Sequence, residues 1–253
     1  MRDFATDSRP LRASQLPALV LCTWQAVAKE IGTVERGESG KSADTGTAAH
    51  LGISAWHTNR QDFADAVAKM RAASAAFPLA DLDEAERITK RYTEDPRNRD
   101  AEVVAVETQV TLSLDPKFVA GPPIVIRGTA DQLRREDGGR LVVWDIKTGN
   151  REGLYFQNLY ALQIAAYSVA LGAEPGGYIR TKGYFTRGAE LPAPHGVFVP
   201  ADVGDPDAVL DAVRWAVCCV REGYVVATPG LHCEYCQFAG VVRCVPALAG
   251  RGK

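Results

Sequence analysis

From Val104 to Leu114 the apolar residues Val104, Val106, Val110, Leu112 and Leu114 alternate with Glu107, Gln109, Thr111 and Ser113, the period of a strand whose polar face carries Glu107. Two more strand-like runs follow at once. PIVIRGTADQL comes after a Gly-Pro-Pro turn and RLVVWDIKTG after the hairpin signal EDGGR, so three consecutive strands predict an antiparallel meander. Before it the pattern is helical: a helix capped by Ser14 and running to about Ile31, with Cys22 inside it, then helices over Thr45 to His57, Arg60 to Phe77 and Asp81 to Tyr92. After it come a helix from Leu154 to about Leu171, strands in YIRTKGYF and HGVFV, and a helix over Asp205 to Gly223. The expected fold is α+β (mixed α/β): a mostly helical part over 11–94, a sheet core over 100–200, and a helix with a cysteine-rich tail over 205–253 that packs back on the first helix. No linker is long enough to separate independent domains, so one domain over 1–253 is expected.

Composition narrows the function classes. At 253 residues, 46% hydrophobic and 24% charged, the chain is neither a mini-protein nor a disordered tail. The balance of 29 basic against 31 acidic residues excludes a general cationic coat, while local basic groups remain at Arg87, Lys90 and Arg91, at Arg134 and Arg135, and at Arg180, Lys182 and Arg187. No apolar run approaches the ~20 residues of a membrane span, and MRDFATDSRPLR lacks a secretory apolar core, so the expected location is cytoplasmic. The letters GESGKS suggest a phosphate-binding loop, but its first glycine would fall at Glu35 and no strand precedes it.

The candidate chemistry lies in the meander. Asp145 and Lys147 are two residues apart in the third strand, so the pleat puts both on one face. The preceding strand ends in GTADQL, where Asp131 can sit beside Asp145 across the hairpin. Two converging carboxylates make a hard-oxygen site for magnesium or manganese, and a lysine beside them can offset charge growing on a phosphate. In the helix that follows, Tyr160, Gln163 and Tyr167 form a polar and aromatic stripe.

GTAD, a hairpin, WDIKTG and a helix with Gln-x3-Tyr in this order resemble the PD-(D/E)xK nuclease superfamily, in particular its RecB-like exonuclease branch. The resemblance implies a restriction-endonuclease-like core with a central mixed sheet flanked by helices. It implies that Asp131, Asp145 and Lys147 form the catalytic motif, that His50 in TGTAAH joins the aspartates in binding metal, and that Gln163 and Tyr167 face the site. Glu107 resembles an additional acidic residue that some members place on the strand before the aspartate.

Six cysteines without an export signal point to reduced thiols or metal ligands. Cys22 near the start, with Cys233, Cys236 and Cys244 near the end, resembles the four-cysteine nucleases of the CRISPR-associated and AddB types, which implies a [4Fe-4S] cluster joining the two ends of the chain. A zinc finger of His232, Cys233, Cys236 and Cys244, with Cys22 as a buried thiol, is the other reading of the tail. Cys218 and Cys219 lie mid-helix as packing residues. The implied activity is metal-dependent DNA exonuclease action at single-stranded or frayed ends, in recombination, repair or CRISPR spacer acquisition, beside a helicase, recombinase or integrase. The alternative is a noncatalytic DNA-end-binding scaffold subunit that keeps the fold and the structural metal site.

Overall fold

The segments with period two are strands in the computed structural model. It describes residues 3–27, 40–59, 62–118, 120–148, 154–180, 197–200, 203, 205–225 and 228, the side chains of 154–159, 178, 180 and 197–200 excepted. In chain order the elements are β1 (Leu11–Arg12), α1 (Leu16–Leu21), α2 (Thr23–Val27), α3 (Lys41–Thr58), α4 (Phe63–Ala72), α5 (Leu82–Glu94) and α6 (Pro96–Arg99). They continue with β2 (Glu102–Leu114), β3 (Ile124–Arg135), β4 (Leu141–Lys147), α7 (Leu154–Leu171), β5 (Glu174–Arg180), β6 (Val197–Pro200) and α8 (Pro206–Arg221).

The chain groups into two compact units, each drawn from distant segments: Met1–Glu38, Thr111–Gly128 and Gly204–Lys253 in one, Ser39–Val110 and Thr129–Val203 in the other. The second unit holds the sheet β3-β4-β5-β6, with β2 pairing β3. β3 and β4 are antiparallel, joined by a turn whose Gly138 and Gly139 take φ of 77° and 80°, values that glycine adopts without strain. α7 then carries the chain over to β5, which lies parallel to β4, and β6 returns antiparallel. The sheet is therefore mixed and flanked by helices, as expected. Ile53, Ala55 and Trp56 of α3 pack on Ile146 of β4, Ile179 of β5 and Tyr92 of α5. The small residues of α3 also let α5 approach closely: a Cβ on Gly52 would meet Thr89 Oγ1 at 2.7 Å.

In the first unit β1 pairs parallel with the start of β3, Leu11 opposite Ile126. Arg221 of α8 ties the Phe4 carbonyl at 2.9 Å and the Pro123 carbonyl at 3.2 Å, stitching α8 to the chain start and to the segment before β3.

Several boundaries differ from the sequence reading. The first helix does not start at Ser14 or run unbroken. Pro17 lies in the first turn of α1, and the chain leaves helical geometry at Cys22, with φ −157° and ψ 96°. This re-aims α2 so that Trp24, Ala26 and Val27 are all buried; the stretch toward Ile31 lies outside the described residues. α4 starts at Phe63 because Asp62 caps it, accepting from the Asp65 N–H at 3.0 Å.

β2 changes phase midway. Val103 and Ala105 face inward before Glu107, and Val110, Leu112 and Leu114 after it, so Val104 is left exposed. The cause is Glu107, whose φ of 48° shifts the alternation as a bulge does.

Candidate active site

Backbone pairing between β3 and β4 runs from Arg135 opposite Leu141 to Gln132 opposite Trp144. There a side chain takes over from the ladder, because Asp131 Oδ2 accepts the Ile146 N–H at 2.6 Å. Its Oδ1 lies 3.4 Å from His50 Nδ1 on α3. From β2, Glu107 brings Oε1 to 4.0 Å from the same nitrogen. The ligand atoms of His50, Glu107 and Asp131 lie within 4.8 Å of one another. Left-handed backbone at a non-glycine residue costs about 1–3 kcal/mol, and at Glu107 that strain accompanies a carboxylate placed in the cluster.

Asp145 lies on the adjacent strand, and its carboxylate is paired with Lys147 Nζ, as two same-face residues of β4 must be. Lys147 Nζ also donates to Gln163 Oε1 at 3.0 Å. Gln163 Nε2 in turn donates to the Tyr167 hydroxyl at 2.9 Å. An ammonium can only donate, so the amide oxygen of Gln163 must face Lys147 and its nitrogen Tyr167. Tyr160, one turn earlier, places its ring 4.6 Å from the ammonium. His50, Glu107, Asp131, Asp145, Lys147, Gln163 and Tyr167 thus all fall in one compact unit.

The charges explain how each group titrates. Burial alone would lower the His50 pKa, but the Asp131 carboxylate, helped by Asp145 and Glu107, lifts it to about 9. Burial raises Asp131 less than His50 and Lys147 lower it, so it stays ionised. Asp145 is pushed up to about 6, by burial first and then by Asp131, against the pull of Lys147. Burial works against the Lys147 ammonium, yet Asp145 and Asp131 hold its pKa above the ordinary value. Tyr167 is pushed up to about 12 by burial and stays a neutral hydroxyl.

This set fits a hard dication. Asp145 is buried and the Lys147 ammonium already holds its Oδ2, so the fit rests on the chemistry of the donors. The donors beside Asp145 are the carboxylates of Glu107 and Asp131 and the imidazole of His50, a mainly oxygen set that suits magnesium or manganese.

Other candidates lie elsewhere. Arg134 is not a surface cation for DNA: it is buried, donating to Gln132 Oε1 at 2.7 Å, Asn98 Oδ1 at 2.8 Å and the Tyr92 hydroxyl at 3.2 Å. His57 joins this network at the Tyr92 hydroxyl, 3.0 Å away, and burial followed by the Arg134 charge lowers its pKa to about 3. Arg135 pairs with Glu102 and Lys90 with Glu94. Cys22 and Cys218 are buried, while Cys233, Cys236, Cys244, Lys182 and Arg187 lie outside the described residues.

The sequence profile of the PD-(D/E)XK nuclease superfamily matches residues 10–241. The chain belongs to that superfamily. Its sheet and helices are those of a restriction-endonuclease-like PD-(D/E)XK fold, and it is a nuclease-type hydrolase of a group that works with divalent metals. No curated protein sequence matches the chain. Among solved structures, that of SSO0001 is similar at 15% identity, covering 88% of this chain and 91% of that one, with a TM-score of 0.39. Among the described residues, no helix of this PD-(D/E)XK protein is long and apolar enough to cross a membrane.

Proposed function

We propose that this protein is a divalent-metal-dependent DNA exonuclease that hydrolyses phosphodiester bonds at single-stranded or frayed ends. The observation that carries the reading is the meeting of His50, Glu107 and Asp131 where β3 and β4 stop pairing, with the Asp145–Lys147 pair on the neighbouring strand. Asp131, Asp145 and His50, with Glu107 beside them, would hold magnesium or manganese. The bound ion would supply an activated water and neutralise charge on the phosphate. Lys147 offsets the negative charge that builds up on the phosphate oxygens, and Gln163, oriented by Tyr167, keeps the ammonium aimed. The choice of ends over internal sites is supported by the likeness of the motif order to the RecB-like branch. The same likeness supports work in recombination, repair or CRISPR spacer acquisition, alongside a helicase, recombinase or integrase.

Linear end-labelled single-stranded DNA and its covalently closed circular form test the reading together. With magnesium or manganese the linear strand is expected to be degraded progressively while the circle persists, and a chelator stops the reaction. Cutting of the circle would replace exonuclease by endonuclease. Inertness toward both substrates, with retained binding to DNA ends, would favour the scaffold reading.

We also propose that Cys22, Cys233, Cys236 and Cys244 ligate a structural [4Fe-4S] cluster. Support comes from the Cys-x2-Cys spacing of Cys233 and Cys236 and from the burial of Cys22. Cys22→Ser is then expected to lose iron as completely as Cys236→Ser, with Cys219→Ser unchanged, by metal analysis of anaerobically purified protein. One zinc and no iron, or full metal retention in Cys22→Ser, would leave the zinc finger as the better account.

A further inference from the structure

Among the described residues the Lys147 ammonium meets Asp145, Gln163 and Tyr160, and Tyr160 has no role yet. Nζ pairs with the Asp145 carboxylate, donates to Gln163 Oε1 at 3.0 Å, and lies over the Tyr160 ring at 4.6 Å from its centroid. Tyr160 and Gln163 are three residues apart on α7 and so share one face, with Tyr167 one turn beyond Gln163.

We propose that Tyr160 is a positioning residue for Lys147, its ring face fixing the ammonium beside the reacting phosphate. This rests on the nuclease reading above. The physical case is one of charge. A third acceptor for the ammonium could have been another carboxylate, but the cluster already holds Glu107, Asp131 and Asp145. A further negative charge would repel the phosphate. An aromatic face attracts a cation through its quadrupole while adding no net charge. Of the three groups around Nζ, Asp145 is also a candidate metal ligand. Gln163 and Tyr160 hold the ammonium independently of what Asp145 binds. Gln163 supplies direction through a hydrogen bond, and the ring adds an attraction that carries no net charge.

Two variants of the full chain test this, with the metal-free protein providing a readout independent of turnover. In chelator, the Lys147 Cε methylene, assigned by its disappearance in Lys147→Ala, is expected to resonate upfield in the wild type and in Tyr160→Phe, because it lies near the ring face. In Tyr160→Leu it returns to the ordinary lysine position. In magnesium, Tyr160→Leu is expected to lower kcat about tenfold with KM for DNA within about twofold, and Tyr160→Phe to restore kcat to within about threefold of wild type. A wild-type methylene at the ordinary position overturns the proposal even when Tyr160→Leu does not fold. So does wild-type turnover in Tyr160→Leu, or a Tyr160→Phe as slow as Tyr160→Leu. A wild type that cleaves no DNA overturns the nuclease reading instead, and the methylene resonance still reports on the ring contact.

Discussion

Asp145→Asn and Asp131→Asn are each expected to lower kcat for DNA cleavage on the order of a hundredfold or more, and Lys147→Ala by a similar factor. The two aspartates differ in what else they lose. Asp131 also holds the Ile146 N–H, so an amide there retains the oxygen acceptor but removes the charge facing His50. With Asp145→Asn, the half-buried Lys147 ammonium loses its carboxylate and keeps Gln163 and the Tyr160 ring. His50→Ala should be milder, weakening metal affinity before it abolishes turnover, since the carboxylates remain. Wild-type rates in Asp145→Asn, or cleavage undiminished by chelator, would remove the site from the chemistry. Circular dichroism of each variant, unchanged from the wild type, keeps the result from being read as unfolding.

A single methyl group on β5 should be nearly as damaging, by a different route. Gly176 is the extra residue where β5 shifts register against β4, between Pro175 opposite Val143 and Gly177 opposite Trp144. A Cβ there would stand 2.6 Å from Val142 Cγ1, 2.7 Å from the Val143 carbonyl oxygen and 2.9 Å from Trp144 Cε2. The carbonyl is backbone and cannot swing aside, so β4 must move. Gly176→Ala is expected to destabilise the protein by about 3 kcal/mol and to lower Tm by roughly 6–12 °C. Because Asp145 and Lys147 follow on the displaced strand, cleavage should fall as well. Gly40→Ala, where a Cβ meets nothing within 4 Å, is the sterically open control and should cost no more than the ~1 kcal/mol of a weakened helix cap at α3. A Tm for Gly176→Ala within about 2 °C of wild type would mean that the bulge is more yielding than its contacts imply.

Local periodicity accounts for what was legible in the sequence. A strand repeats every two residues, so Asp145 and Lys147 had to share a face, and their ion pair shows that they do. A helix brings residues four apart together, so Gln163 and Tyr167 had to meet, and their hydrogen bond follows from that spacing alone. Where backbone departs from the regular period, the pattern misleads. Nothing in Val-Glu-Thr announces that Glu107 takes a left-handed conformation, and strict alternation therefore puts Val104 on an inner face that it does not occupy. The strand pattern begins at Tyr178, yet β5 opens four residues earlier with Glu-Pro-Gly-Gly, because the bulge at Gly176 absorbs what would otherwise break the strand. Arg134 follows the aspartate strand and resembles a surface cation. Only the tertiary arrangement of Gln132, Asn98 and Tyr92 reveals it as buried. The cluster itself joins residues from α3, β2 and β3, and no local rule specifies that meeting.

The divided carboxylate of Asp131 has a thermodynamic consequence. One oxygen is bound to the Ile146 amide, so the rotamer of the side chain is set when β3 and β4 come together. In the proposed metal site, the rotational entropy of this side chain would therefore be lost during folding rather than during ion capture. A cation arriving at the proposed site would find the other oxygen already oriented, and its affinity would be higher by the freedom that it no longer had to remove. Under the proposed assignment, affinity for the ion and integrity of one backbone amide contact are linked: anything that frees the Ile146 N–H would return that disorder to Asp131 and weaken capture of the ion, even with every proposed ligand intact.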